Sequence, residues 1–136
     1  MIIKSFIPAI LWGLVIFFII SLPVDAMPDS GFLDIPYFDK VVHTTIFMVF
    51  AFLLGVGFYF RNASLKKHNN ISIVKVLIIA IVYGGITEIL QEMLFSSRNG
   101  SFSDFVTNVI GSLLGILICK YFIFAGYIKV FKFLKK

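Results

Sequence analysis

The segment Tyr83-Gly-Gly-Ile-Thr-Glu-Ile-Leu-Gln-Glu-Met-Leu-Phe95 (YGGITEILQEMLF) decides the fold. It closes an apolar run that begins near Ile73, and a run of roughly 20 such residues crosses a hydrocarbon core of about 30 Å as a helix. Near the end of that run stand Glu88, Gln91 and Glu92. An ionisable side chain in hydrocarbon costs about 2.5 kcal/mol or more on insertion scales, so such residues face a bundle interior, a water-filled cavity or one another. Glu88 and Gln91, three residues apart, share one face that must turn away from lipid. Glu92, one turn beyond Glu88, lies nearer the headgroups, where water can solvate it. Gly84 and Gly85, one turn below Glu88, thin the helix and allow a neighbour's backbone to approach. This single stretch therefore demands partner helices.

The rest of the chain supplies them. Of its 136 residues 60% are hydrophobic and only 14% charged, and the mean hydropathy is +1.02; a soluble globular domain does not have this composition. Four segments are long and apolar enough to span: about 6–22, 41–60, 73–95 and 105–124. The expected fold is all-α, a four-helix transmembrane bundle forming one domain over residues 1–136. The net charge of +5 does not imply nucleic acid, because the basic residues flank apolar segments and form no stripe on a polar face. The lone Cys119 has no partner for an internal disulfide and is expected to face lipid or to be packed. The competing reading of the first segment is a cleaved signal peptide, with Lys4 before the apolar run and Val24-Asp25-Ala26 as a small-x-small site. Its length, and the ease with which Pro8 and Trp12 fit a span, favour a retained helix. Asn-x-Ser sequons at Asn62, Asn70 and Asn99 matter only in a glycosylating pathway.

Orientation follows from counting. With the amino terminus cytoplasmic, ten of the twelve Lys and Arg residues fall inside, leaving Lys40 and Arg98 outside; the positive-inside rule thus predicts both termini in the cytoplasm. All seven acids, Asp25, Asp29, Asp34, Asp39, Glu88, Glu92 and Asp104, then fall in outer loops or in the outer parts of spans. Acids contribute little to the rule, so this segregation needs an explanation of its own.

In that orientation three spans bring polar residues to one depth. Glu88 lies about 10 Å below the end of the third span. Asp39, Lys40 and His43 open the second, with Asp39 and His43 one turn apart on one face. Asp104 and Asn108 open the fourth, which continues into the small residues Gly111, Ser112 and Gly115, a stripe suited to close helix packing. Ser103 or Asp104 is expected to cap the fourth helix, and Arg98, in the loop before it, offers a planar fork for carboxylate or phosphate.

Asp39-Lys40-x-x-His43, Glu88-x-x-Gln91, Arg98 and Asp104-x-x-x-Asn108-x-x-Gly111-x-x-x-Gly115 together resemble the VanZ-like family of small integral membrane proteins. The resemblance extends over nearly the whole chain, including Trp12 and the Ser21-Leu22-Pro23 end of the first span. It implies a cell-membrane protein of the envelope. The founding member is associated with low-level resistance to teicoplanin, a lipoglycopeptide that acts at the outer face of the membrane.

The residues themselves define the candidate chemistry. Glu88, His43 and Asp104 are the acid, base and catalytic candidates, since a carboxylate beside a histidine is a usual general acid/base pairing. Arg98, Lys40, Asp39, Gln91 and Asn108 are the substrate-binding candidates, Asn108 also bonding between helices. The plainer reading pairs His43 with Asp39 or a carbonyl and makes Asp104 a simple cap. With one histidine in the cluster zinc lacks its usual ligand company, and Mg²⁺ bridging a phosphate is the better form of a metal hypothesis; no metal is assigned and the cofactor is left unknown. The expected partner is membrane lipid, with a lipid-linked envelope precursor or a lipoglycopeptide as substrate or ligand, and no nucleic acid. Two functions follow: an enzyme acting on a lipid-linked or glycopolymer substrate, or a pocket that binds an amphiphile without chemistry. A proton-coupled transporter is the weaker third, because Glu88 sits away from the midplane.

Overall fold

A computed structural model of the chain describes residues 3–21, 37–64, 72–94 and 101–125. After a single 3₁₀ turn, Ile3–Phe6, come four α-helices: α1 (Ile7–Ser21), α2 (Phe38–Ser64), α3 (Ile73–Leu94) and α4 (Phe102–Phe124). All four are long and apolar enough to cross a membrane, α1 together with its leading turn. The protein is thus an all-helical membrane bundle, as expected for a chain whose backbone polar groups must be satisfied without water. Helices α2 and α4 begin three residues before the expected 41 and 105, which brings Asp39, Lys40 and Asp104 inside helical turns. Pro8 occupies the first turn of α1, where its missing N–H costs no helical bond.

The bundle is built around α2, which is also the most buried of the four spans. Helix α4 makes the most extensive packing with it, α1 and α3 pack against it and each other, and α1 does not touch α4 among the described residues. The reason for the tight α2–α4 seam lies in Gly111 and Gly115. A methyl at Gly111 would run into the Thr44 carbonyl, and one at Gly115 into the Met48 carbonyl. Only glycine permits two helix backbones to approach so closely. Asn108, Gly111, Ser112, Gly115, Ile116 and Cys119 form the buried stripe of α4, while Leu113, Leu114, Leu117 and Ile118 point outward. Cys119 is packed with Val56 and Phe60, so of the two expectations for it the packed one holds.

The expectation for Gly84 and Gly85 is refined. Gly84 admits an aromatic ring and not a backbone: a methyl there would come within 3.3 Å of the Phe47 ring and 3.4 Å of Asn108 Cβ. Phe47, fully buried, shares this layer with Phe50 and Tyr83, whose ring centroids stand 5.1 Å apart. Two hydrogen bonds then pin α1 to the pair α2–α3. Trp12 Nε1 donates to the Ile46 carbonyl at 2.9 Å, and the Tyr83 hydroxyl donates to the Gly13 carbonyl at 2.6 Å. Each ties a side chain that is apolar in body to a carbonyl within hydrocarbon depth, so neither polar tip is left unsatisfied.

Replacing Gly111 or Gly115 by valine is expected to destabilise the bundle by about 1–3 kcal/mol each through overpacking against a rigid backbone. Gly85→Ala should be nearly neutral, since its methyl would meet only Phe105 at 3.8 Å. Reversible unfolding of the purified protein in mixed micelles measures both.

Candidate functional site: a histidine, asparagine and glutamate joined across three helices

One end of the bundle gathers the start of α2, the last turns of α3 and the start of α4. His43, one turn and a half into α2, is buried and reaches Asn108 of α4, with Nδ1 and Oδ1 3.0 Å apart. Asn108 in turn donates through Nδ2 to Glu88 Oε1 of α3 at 3.0 Å. The second bond fixes the orientation of the amide. Turned over, it would set its oxygen against a carboxylate oxygen, whereas as it stands Oδ1 accepts, so Nδ1 of His43 carries the proton. The chain of donation is therefore His43 to Asn108 to Glu88. His43 Nδ1 lies 3.6 Å from Glu88 Oε1, too far for a direct hydrogen bond but close for a charge pair once the ring is protonated.

The other oxygen of Glu88 accepts the Ser101 backbone N–H at 3.3 Å. Ser101, and neither Ser103 nor Asp104, is the residue that caps α4. Its backbone is extended and its side chain makes no capping bond, so the glutamate of a neighbouring helix reaches the peptide at this helix start instead. Sequence reasoning missed this contact, because a backbone donor has no residue-type signature.

Asp104 stands in the first turn of α4 and pairs with Lys40 of α2, Nζ to Oδ1 3.1 Å. Lys40 also reaches Asp39 at 3.5 Å. These three form a second cluster nearer the rim. Asp39 is exposed and has no described bond to His43, so the pairing of His43 with Asp39 or a carbonyl is replaced by the bond to Asn108. The lysine is already matched by two carboxylates, which weakens it as a clamp for an anion. Asn108, 1% exposed and with a bond on each polar atom, is enclosed by its neighbours and positions other groups. Glu92 is exposed, as expected. Arg98 lies outside the described residues.

Two buried hydroxyls are spent locally. Thr87 Oγ1 donates to the Gly84 carbonyl and Ser112 Oγ to the Asn108 carbonyl, each at 2.8 Å. Gln91 differs. It is 4% exposed and its amide has no hydrogen-bond partner among the described residues, yet the sealed and unpaired side-chain nitrogen or oxygen found among them is Arg61 Nε alone. The Gln91 amide and His43 Nε2 have no partner among the described residues and are not among the sealed atoms there, so a group from beyond those residues can reach them. Among the described residues no three His, Cys, Asp or Glu side chains are grouped to hold a metal ion.

Four apolar spans enclosing a bonded His, Asn and Glu at one end define a class: small polytopic membrane proteins with an intramembrane polar centre. The family profile described as VanZ/LLP1 matches residues 5–125, and the chain belongs to that family. No curated protein and no solved structure matches it.

Asn108→Leu is expected to cost about 1–3 kcal/mol, because it orphans donors and acceptors on two other helices. Asn108→Asp should be tolerated better at low pH than at high, since its carboxylate faces Glu88 Oε1 and the two repel only while both are ionised. Unfolding in micelles followed from pH 4 to 8 reads out the sign.

Proposed function

We propose that the polar end of this bundle opens at the outer leaflet and engages a lipid-linked or glycopolymer component of the envelope, with His43 as general acid and base. The observation that carries the reading is the chain from His43 through Asn108 to Glu88. A third group that fixes the tautomer of a histidine, leaving its other nitrogen open, is the arrangement that activates nucleophiles in many unrelated enzymes. Here Nδ1–H is held and Nε2 is free to take a proton from a water or hydroxyl and return it to a leaving group. The imidazolium formed in between would have Glu88 Oε1 at 3.6 Å. Asn108 serves as the positioning residue. Lys40 and Asp104 mark the polar rim, and Arg98, by sequence, is the remaining cation for a phosphate or carboxylate of the ligand.

The outward orientation rests on the distribution of lysine and arginine. It fits the family's association with lipoglycopeptide resistance, which would follow if the protein altered or sequestered an envelope component at that face. A binding role without chemistry is supported by one observation: His43 is hydrogen-bonded to Asn108, and among the described residues no Ser, Thr or Cys side chain is joined to it. The apolar layer of Phe47, Phe50, Ala51 and Leu54 beneath the site speaks against a proton path to the opposite side.

His43→Ala is expected to abolish the effect of the protein on teicoplanin susceptibility and on the envelope lipid profile of an expressing cell, with a loss of detergent stability no larger than that of Asn108→Leu, about 1–3 kcal/mol. His43→Ala with full activity, or a Ser101→Cys variant labelled by an impermeant thiol reagent from the cytoplasmic side only, would refute the reading.

A further inference from the structure

The acid–base reading leaves Gln91 without a role. The residue as a whole is only 4% exposed, and among the described residues nothing bonds its amide. The cost of leaving such a group unpaired is about 1–3 kcal/mol, and more where water is scarce. Its polar atoms are not among those sealed off among the described residues, so a partner from beyond those residues can reach them. On α3 the residue follows Glu88 by three positions, on the same face and about 4.5 Å nearer the helix end. It therefore stands between the His43–Asn108–Glu88 chain and the headgroup zone that the preceding subsection assigns to this end.

We infer that Gln91 is the recognition residue for a hydroxyl-bearing headgroup, the neutral polyol or sugar part of an envelope lipid. The argument is one of donors and acceptors. A primary amide presents an NH₂ and a carbonyl together, and it is satisfied only by a group that both accepts and donates. A hydroxyl pair does both. A phosphodiester alone accepts but does not donate, leaving the carbonyl orphaned, and a quaternary ammonium does neither.

Charge selects in the same direction. Among the described residues Asp39, Glu88 and Asp104 face a single lysine, whose ammonium already meets two of them. A bare phosphate monoester is repelled by such a surface. A hydroxylated headgroup finds acceptors in the carboxylates and both kinds of partner in Gln91. The segregation of all seven acids to one side then acquires a purpose: it excludes polyanions from a site meant for hydroxyls.

This inference rests on the proposed engagement of an envelope lipid, and one experiment separates the two. The purified full-length protein in nanodiscs is titrated with four short-chain lipids and binding is followed by native mass spectrometry: a diglucosyl diacylglycerol, phosphatidylglycerol, phosphatidylcholine and phosphatidylmethanol, the last two having no headgroup donor. The first two carry free hydroxyls, from a sugar and from glycerol, and their relative affinity tells which source is used. Either is expected to bind at least tenfold more tightly than the choline lipid or the phosphatidylmethanol. Gln91→Leu should erase that preference, while Gln91→Asn, which keeps the amide on a shorter arm, should restore part of it; a residue that only packs would not discriminate among headgroups. Equal binding of all four lipids, a preference for the two lipids without a headgroup hydroxyl, or selectivity unchanged in Gln91→Leu overturns the inference and leaves the acid–base reading of His43 intact. Failure of the wild type to bind any of the four overturns both. Recovery of the preference in Gln91→Leu at raised pH, with Gln91→Asn inactive, would assign it to the carboxylates and overturn the role of Gln91.

Discussion

The structure depends on a constraint set by its solvent: a polar side chain within a hydrocarbon-spanning bundle has to find its partner inside the protein. Asn108 is where that constraint is met. A neutral amide has a donor and an acceptor, so it can stand between a histidine that donates and a carboxylate that accepts, and join α2, α4 and α3 without adding a charge. A charged residue in its place would leave one neighbour repelled. The same amide hands the influence of a carboxylate to an imidazole while keeping the two from direct contact.

Close approach of α2 and α4 makes this bridge possible. Gly111 and Gly115 bring the backbones together, and Asn108 lies one turn from Gly111 on the same stripe, so its short side chain spans the distance to His43. Gly84 does the corresponding service on α3 by making room for the Phe47 ring and the Asn108 side chain. Packing with small residues and the geometry of the polar centre are thus one design. A wider seam would need a longer polar side chain, with more rotamer freedom to lose and a less definite direction for the histidine.

Beyond the centre the polar residues are graded. The Lys40–Asp104 pair sits at the rim, half in reach of water, where ion pairs are worth little but keep polar groups solvated. Glu88 and His43 lie deeper, and below them the core is aromatic and aliphatic. Polarity that stops partway into the bundle suits a site reached from one side. It is the physical ground for reading the protein as a headgroup site and not as a conduit.

The number and extent of the spans were legible in the sequence, because crossing hydrocarbon fixes helix length and composition whatever the helices pack against. The inward turn of Glu88, His43 and Asn108 was legible for the same reason: lipid offers them nothing. So was the small-residue stripe of α4. What the sequence left open was which polar group meets which. For His43 the residues offered Asp39, a carbonyl or a carboxylate of another span and did not single out Asn108; they did not single out Lys40 for Asp104, and nothing in their order announced that Glu88 would take the Ser101 peptide. Those choices depend on the rotation of each helix about its axis and on its offset along its neighbour. Both are set by the summed contacts of residues such as Gly115 with Met48 and Gly84 with Phe47, and such contacts exist only after the chain has packed.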